Sequence, residues 1–330
     1  MSALFVAAGE ALIDLIQQPD GRYEACLGGS VFNFCIALAR LRVPTAYANP
    51  LSHDPFGRRF AQRLQEDGVR MLSGASDDAP TSLAVVSLDA QGKASYSFHR
   101  AHVADRRIDV EALLPQLGQA AGVHIGGLAL VPDDVGRYVR IAQAVAAAGG
   151  VVSVDANLRP AVVPEAARYA EGVLQALAQG HLVKVSDEDL LHLGLVADLQ
   201  DEQALVVAAR SLLQRPGVAT RIVALTRGAQ GADLLTGSLQ VRAEPPEGLV
   251  VQDTVGAGDC FMAGLVAGLH AAGVLQPAAL GSASPPVLAD ALQLAVAGAS
   301  VDVTRVGCDP ARWEDAQAMK ARVKLATIAG

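Results

Sequence analysis

The sequence predicts an α/β fold built on a mostly parallel sheet with helices on both faces, and two observations carry that prediction. Short apolar runs alternate with longer amphipathic runs along the chain, the order expected of βαβ crossovers. Of the residues, 51% are hydrophobic but only 4% are aromatic, a balance of small and branched side chains that suits helices packed on a buried sheet. At 330 residues the chain lies near the length where one core stops growing. One large domain with an appendage and two modest domains both fit.

Strands are predicted at residues 4–8, 45–51, 122–125, 151–155, 182–185 and 221–226, and helices at 30–41, 55–68, 133–148, 164–179 and 260–272. Repeated crossovers of this kind give a parallel sheet. Two stretches break the rhythm and read as antiparallel: residues 15–27 around Pro19-Asp20-Gly21, and 82–99 around Asp89-Ala90-Gln91-Gly92. Together they predict a small separate sheet. Residues 281–286 read as a surface loop before a final helical pair. No linker divides the chain, so residues 1–330 are expected to act as one unit.

A formal charge of -8 disfavours nucleic acid and anionic membrane as partners, since both need basic surface. Cys26, Cys35, Cys260 and Cys308 form no CxxC pair, so their spacing gives neither a zinc pattern nor a disulfide framework, and a reduced cytoplasmic setting is expected. The first residues are apolar but lack a basic leader and contain Glu10 and Asp14. They read as a first strand rather than a spanning or targeting segment. His53, His99 and His124 show no metal spacing and are expected to be structural or surface residues.

The strongest chemical signal is Asp253-Thr254-Val255-Gly256-Ala257-Gly258-Asp259 ahead of an apolar helix. A small-residue turn entering a helix offers unpaired N–H groups and the positive end of the helix dipole to an anion. Asp259 in the first turn is then placed to take a hydroxyl proton. The same residues also fit an ordinary helix start in which Asp259 only complements the dipole. No GxxxxGK[ST] loop and no protein-kinase motif set is present.

The run Asp253 to Phe261, late in an α/β chain, resembles the second signature of the PfkB (ribokinase-like) carbohydrate kinases, and the resemblance extends over nearly the whole chain. Gly28-Gly29-Ser30-Val31-Phe32-Asn33 and His53-Asp54-Pro55-Phe56-Gly57 resemble the first signature. The resemblance implies a three-layer ribokinase-like sandwich with a small β lid from residues 15–27 and 82–107. It implies a sugar pocket lined by Asp14, at the end of the first strand, with Gly29 and Asn33. It makes Asp259 the base and Gly256, Ala257 and Gly258 the anion hole. Read without it, Gly28 and Gly29 could form a helix entry with Ser30 as N-cap, Asn33 could be exposed, and Asp14 could be a loop carboxylate.

Asp155-Ala156-Asn157-Leu158-Arg159 ends a predicted strand, the edge where open α/β sheets bind ligands, and resembles the DxNxR element of fructokinase-like members. Arg159 and Lys184 could supply positive charge to phosphate, or both could be solvated. Ser186-Asp187-Glu188-Asp189 stands where the family carries NxxE, which implies an indirect, water-mediated role for Asp189 near Mg²⁺. A helix cap formed by Ser186 and Asp189 is an equal reading. Thr226-Arg227-Gly228-Ala229-Gln230-Gly231 resembles a turn bordering the nucleotide, with Arg227 in place of Leu, and also fits a simple β-turn. Val296 stands about where relatives place Asn or His near adenine. Residues 301–308 resemble a loop whose carbonyls, with a carboxylate at Asp253, can hold a monovalent cation such as K⁺.

These features predict a kinase that uses MgATP to phosphorylate a small sugar. Tyr96-Ser97-Phe98-His99-Arg100 and Ala104-Asp105-Arg106 resemble elements of bacterial fructokinases, which favours the 6-hydroxyl of fructose. Arg100 is placed in the substrate pocket, where pairing with a carboxylate would make 2-keto-3-deoxygluconate the alternative; ribose or a nucleoside ranks lower. A sugar or nucleotide sensor without turnover is the reading from a different class. A homodimer through the β lid is a further expectation.

Overall fold

The computed structural model describes residues 3–18, 20–75, 78–88, 94–215 and 217–328. The strands are β1 (Phe5–Ala7), β2 (Leu12–Gln17), β3 (Tyr23–Gly28), β4 (Thr45–Tyr47), β5 (Arg70–Met71), β6 (Ser82–Leu88), β7 (Ala94–His99), β8 (Gly122–Gly126), β9 (Val151–Asp155), β10 (Leu182–Ser186), β11 (Ile222–Thr226), β12 (Ala232–Leu235), β13 (Gln240–Glu244) and β14 (Lys324–Ile328). Ten of them form one sheet in the order β14-β13-β12-β11-β10-β9-β8-β1-β4-β5. From β11 to β5 every pairing is parallel. β12, β13 and β14 extend the sheet by antiparallel pairings, an extension absent from the predicted strand set.

Side-chain alternation divides this sheet into two buried layers. Leu182, Ile222 and Ala224 pack with the helices Ser30–Arg40, Ala257–Ala271 and Pro285–Asp302. Val183, Val185, Val223 and Leu225 face the opposite layer, with Val135–Ala147, Ala166–Leu177 and Glu202–Ser211. Because Lys184 pairs in register with Asp155, both side chains project toward the layer containing the Ala257–Ala271 helix. β8 and β9 are buried throughout, whereas β10 and β11 become half-exposed only at their last residues, Ser186 and Thr226. The carboxyl ends of β10 and β11 thus open the edge expected to take ligands, with that of β9 buried beside them.

The second sheet has the order β3-β2-β6-β7. β2 runs antiparallel to β3 and parallel to β6, and β6 runs antiparallel to β7. Asp14, Cys26, Ala84 and Phe98 stand opposite one another across it, so they share one face. This is the expected lid with shifted bounds. Its first strand begins at Leu12, and residues 100–107 form a turn with a short 3₁₀ segment at Ala104–Arg106. Asp14 accordingly lies inside β2 of the lid rather than at the end of the first strand. The sequence hides this because β1 and β2 are separated by only residues 8–11 and are both apolar. Pro19 of one expected turn, and the whole Asp89 to Gly92 turn of the other, fall outside the described residues.

Pro285 and Pro286, expected in a surface loop, occupy the first turn of the Pro285–Asp302 helix, where a missing N–H costs no helical bond. Among the described residues, no helix is long and apolar enough to cross a membrane.

Candidate active site

The motif turn opens the Ala257–Ala271 helix. Gly256 is its N-cap in the left-handed region, at φ 84°, and no side chain caps the first turn, which leaves helical N–H groups available to an anion. Glycine is required at residue 256 on two counts: a Cβ there would be strained at that φ and would lie 2.3 Å from Cys308 Sγ. Gly256, Ala257 and Gly258 are half-buried, so the turn is open to a ligand.

Asp259 follows in the same turn, buried at 7% exposure. One carboxylate oxygen accepts a hydrogen bond from Asn33 Nδ2 at 2.9 Å. Its pKa is raised well above the ordinary value, first by burial. Asn33 works against that rise, the Asp155 charge adds to it, and Lys184 and Arg159 oppose it. Asn33, expected at the pocket wall, is therefore buried and holds the carboxylate in place.

Lys184 and Asp155 form a buried ion pair, Nζ lying 2.9 and 3.0 Å from the two carboxylate oxygens. Their exposures are 4% and 2%, so the solvated reading of Lys184 does not hold. Lys184 Nζ also lies 3.3 Å from the position a Cβ on Gly258 would take, placing the ammonium against the helix start. Burial lowers its pKa, but the carboxylates of Asp155, Asp189 and Asp259 outweigh burial and hold it above the usual range. Arg159 is exposed, and among the described residues its guanidinium donates only to the Leu158 carbonyl. The positive charge of Arg159 reaches Asp14, Asp155 and Asp259 alike.

Ser186 and Asp189 form the capping box. Ser186 Oγ accepts the Asp189 N–H at 3.0 Å, and Asp189 Oδ2 accepts the Ser186 N–H at 2.8 Å. Asp189 Oδ1 accepts the Leu158 N–H at 2.8 Å, so this buried carboxylate pins the loop that carries Arg159. Thr226 ends β11 beside Ser186. Gly228 is exposed, and Gly231 packs so closely on β13 that a Cβ would meet the Ala243 carbonyl at 2.1 Å. Arg227 turns away from this edge and pairs with Asp233 at 2.9 Å and Glu202 at 3.2 Å. Val296 is buried in the helical layer. Asp253 accepts the Val255 N–H through one oxygen and the Gly307 N–H through the other, which brings the expected cation loop against the motif.

On the lid side, Asp14 is half-buried and has no hydrogen-bond partner among the described residues. Burial raises its pKa to about 6, and Arg159 opposes the rise. Gly28 stands beside it: a Cβ would lie 2.1 Å from Asp14 Oδ2. Gly29, not Ser30, is the N-cap of the Ser30–Arg40 helix, and no side chain from its own end caps it. Glu10 supplies the cap from another segment, its Oε1 accepting the Ser30 N–H at 3.0 Å and Ser30 Oγ at 2.7 Å. Gly28 and Glu10 were not among the expected site residues; an acid inside an apolar run was the signal for Glu10.

Arg100 is the expected residue that the structure sets apart. At 8% exposure, it donates to the Leu128 carbonyl at 3.1 Å and to Asp105 at 3.2 Å. Its charge is already balanced inside the fold. It borders a cleft of about 510 Å³ lined also by Phe98, Pro132, Val162 and Glu165, but that cleft includes neither Asp14, Asn33 nor Asp259. His124, as expected, is structural: it stacks on Phe34 at 3.7 Å, meets Ser153 Oγ at 2.9 Å, and is held neutral by burial, which lowers its pKa to about 3.

A family model described as pfkB family carbohydrate kinase matches residues 2–315. The chain is 33% identical over 271 residues to a fructokinase of Rhizobium leguminosarum bv. trifolii, covering 81% of this chain and 79% of that protein. It is 32% identical to a fructokinase of Salmonella typhimurium, covering 83% and 87%. A crystal structure of fructokinase with bound ATP from Xylella fastidiosa superposes with a TM-score of 0.85 at 27% identity, covering 97% of this chain and 98% of that one.

Proposed function

Because the chain belongs to the pfkB family of carbohydrate kinases, we propose that it is an ATP-dependent fructokinase acting on the 6-hydroxyl. The observation that carries this reading is Asp259 in an uncapped helix start beside the buried Lys184, with the unpartnered Asp14 carboxylate presented by the lid. Similarity to fructokinases in sequence and structure supports the choice of sugar.

In this reading Asp259 accepts the hydroxyl proton as the sugar oxygen bonds to the γ-phosphorus and ADP leaves. Asn33 fixes which carboxylate oxygen is free. Gly256 and Gly258 present N–H groups to the transferring phosphoryl, Ala257 between them donating its own to the Thr254 carbonyl, and Lys184 and Arg159 offset its charge; phosphoryl transfer depends mainly on such positioning. Asp14 accepts sugar hydroxyls beside Gly29. Ser186, Thr226, Gly228 and Gly231 border the nucleotide.

Magnesium is read as arriving with ATP. Asp155 is closed by Lys184, and the Asp189 carboxylate by the Leu158 and Ser186 N–H groups. Such residues would face a magnesium ion only through its waters, and the ion would supply charge neutralisation to the phosphates. Asp189 would act on it only indirectly, by holding the Arg159 loop. A monovalent cation near Asp253, a single kinase unit over residues 1–330, pairing of two copies through the lid and a cytoplasmic setting belong to the same reading.

The compensated Arg100 favours a neutral sugar over 2-keto-3-deoxygluconate, and the assembled Asp259, Lys184 and Arg159 favour turnover over a sensor. A sugar panel in a coupled ADP-release assay tests both points. Fructose is expected to give the highest kcat/KM; preference for the keto acid would reject the substrate, and no ADP release with any sugar would reject the enzyme.

A further inference from the structure

Behind the phosphate-facing turn, three groups distant in sequence meet. Cys260 follows Asp259 in the helix, Asp302 ends the Pro285–Asp302 helix, and Cys308 lies in the loop beyond. Their two sulfurs and a carboxylate oxygen lie within 4.8 Å of one another. Cys260 is 2% exposed, Asp302 is 1% exposed and Cys308 is half-buried. Asp302 Oδ1 accepts the Asp309 N–H at 3.1 Å, whereas Oδ2 is buried with no partner at good hydrogen-bond geometry, the Cys260 and Cys308 thiols being the weak donors that face this carboxylate. That oxygen aims at the cluster: the point 2.3 Å from Cys308 Sγ where a Gly256 Cβ would stand is 3.5 Å from Oδ2. A buried acceptor left unmatched calls for an explanation, and the proposed phosphoryl transfer uses none of these three side chains.

We propose that Cys260, Asp302 and Cys308 form a binding site for a thiophilic divalent cation of the zinc class. Two thiolates and one carboxylate form a donor set that such an ion accepts and that magnesium and potassium do not. Three protein ligands leave one position of a tetrahedron for water. A cavity of about 40 Å³, large enough for one water, reaches Cys308 and is lined also by Asn33, Leu27 and Arg63, though not by Cys260 or Asp302. On binding, both thiol protons leave to solvent and no electrons are transferred. The ion would tie the helix start to the loop after Asp302 and satisfy the unmatched oxygen. It would be separate from any cation at Asp253, whose two oxygens face the Val255 and Gly307 N–H groups.

The test uses full-length, metal-free protein reduced with a phosphine and titrated anaerobically with Co²⁺, then Zn²⁺. One equivalent of Co²⁺ is expected to give a thiolate charge-transfer band that Zn²⁺ abolishes. Cys308→Ala and Asp302→Asn are each expected to weaken binding by about 10- to 100-fold or more, while Cys26→Ser leaves it unchanged. Excess Zn²⁺ is expected to raise the Tm of the wild type but not of Cys308→Ala; Cys308→Ser replaces that variant if it fails to fold. The proposal is overturned by no band at one equivalent, by a band that survives in Cys308→Ala, or by a reduced protein that takes up no metal and forms a Cys260–Cys308 disulfide on oxidation.

Discussion

The two sheets contribute to one site by opposite means. On the ten-stranded sheet and its helices, functional carboxylates arrive already partnered: Asp155 with Lys184, Asp259 with Asn33, and Asp189 with the Leu158 and Ser186 N–H groups. In the four-stranded lid, Asp14 has no hydrogen-bond partner among the described residues, and the small buried apolar cluster here is Leu12, Ala84 and Leu128. One region is built before its ligand comes, and the other presents an acceptor that a ligand completes. The division suits a kinase, because a lid that gains hydrogen bonds only when sugar is present closes only then, and closure excludes water.

The largest expected effect falls on the partnered side. Lys184→Met leaves Asp155 buried without its counter-ion, which costs about 3 to 5 kcal/mol, so urea denaturation is expected to show a large loss of stability. Asp14→Ala in the lid is expected to leave stability within about 1 kcal/mol, as half-exposed substitutions do. Comparable losses from the two variants would erase the contrast.

Asp259→Asn comes next, with kcat lowered by about 10²-fold or more while nucleotide and sugar affinities stay within a few-fold. Near-normal turnover would remove Asp259 from the base role. Asp14→Ala is then expected to lower kcat/KM for fructose by about 10- to 100-fold, the worth of hydrogen bonds to a charged group, with little change in ATP binding. Gly28→Ala sharpens this test, because its methyl displaces the same carboxylate and predicts the same loss with Asp14 still present.

The smallest effect concerns pH. A carboxyl whose pKa is raised to about 6 gains its proton as pH falls through that value and loses an acceptor. Fructose kcat/KM is therefore expected to decline below pH about 6, and Asp14→Asn to remove that part of the decline. An unchanged profile in that variant would assign the limb to another group, with Asp259 the first to test.

Legibility in the sequence followed the range of the interactions involved. The anion-binding turn was readable because seven consecutive residues build it, and the parallel sheet because each strand is a local apolar run. The place of Asp14 was not, since residues 8–11 turn the chain into a second sheet without a change of polarity. Arg100 illustrates the same limit: its burial depends on Asp105 and on the Leu128 carbonyl, and the residue type alone suggested an open cation. The edge strand β14 depends on pairing residue 240 with residue 328, a separation that periodicity cannot register. Cys260 and Cys308 lay outside every short metal spacing, yet the fold brings them together.

Gly28 and Asp14 form what is in effect one inherited unit. With only 2.1 Å between Asp14 Oδ2 and the place of a residue-28 Cβ, a side chain at position 28 swings the carboxylate of residue 14 out of its present place. A lineage drifting toward a different substrate cannot adjust this wall in small independent steps. Relatives that enlarge residue 28 are expected to aim any acid at residue 14 differently, so the two positions together mark a change in how the sugar is held.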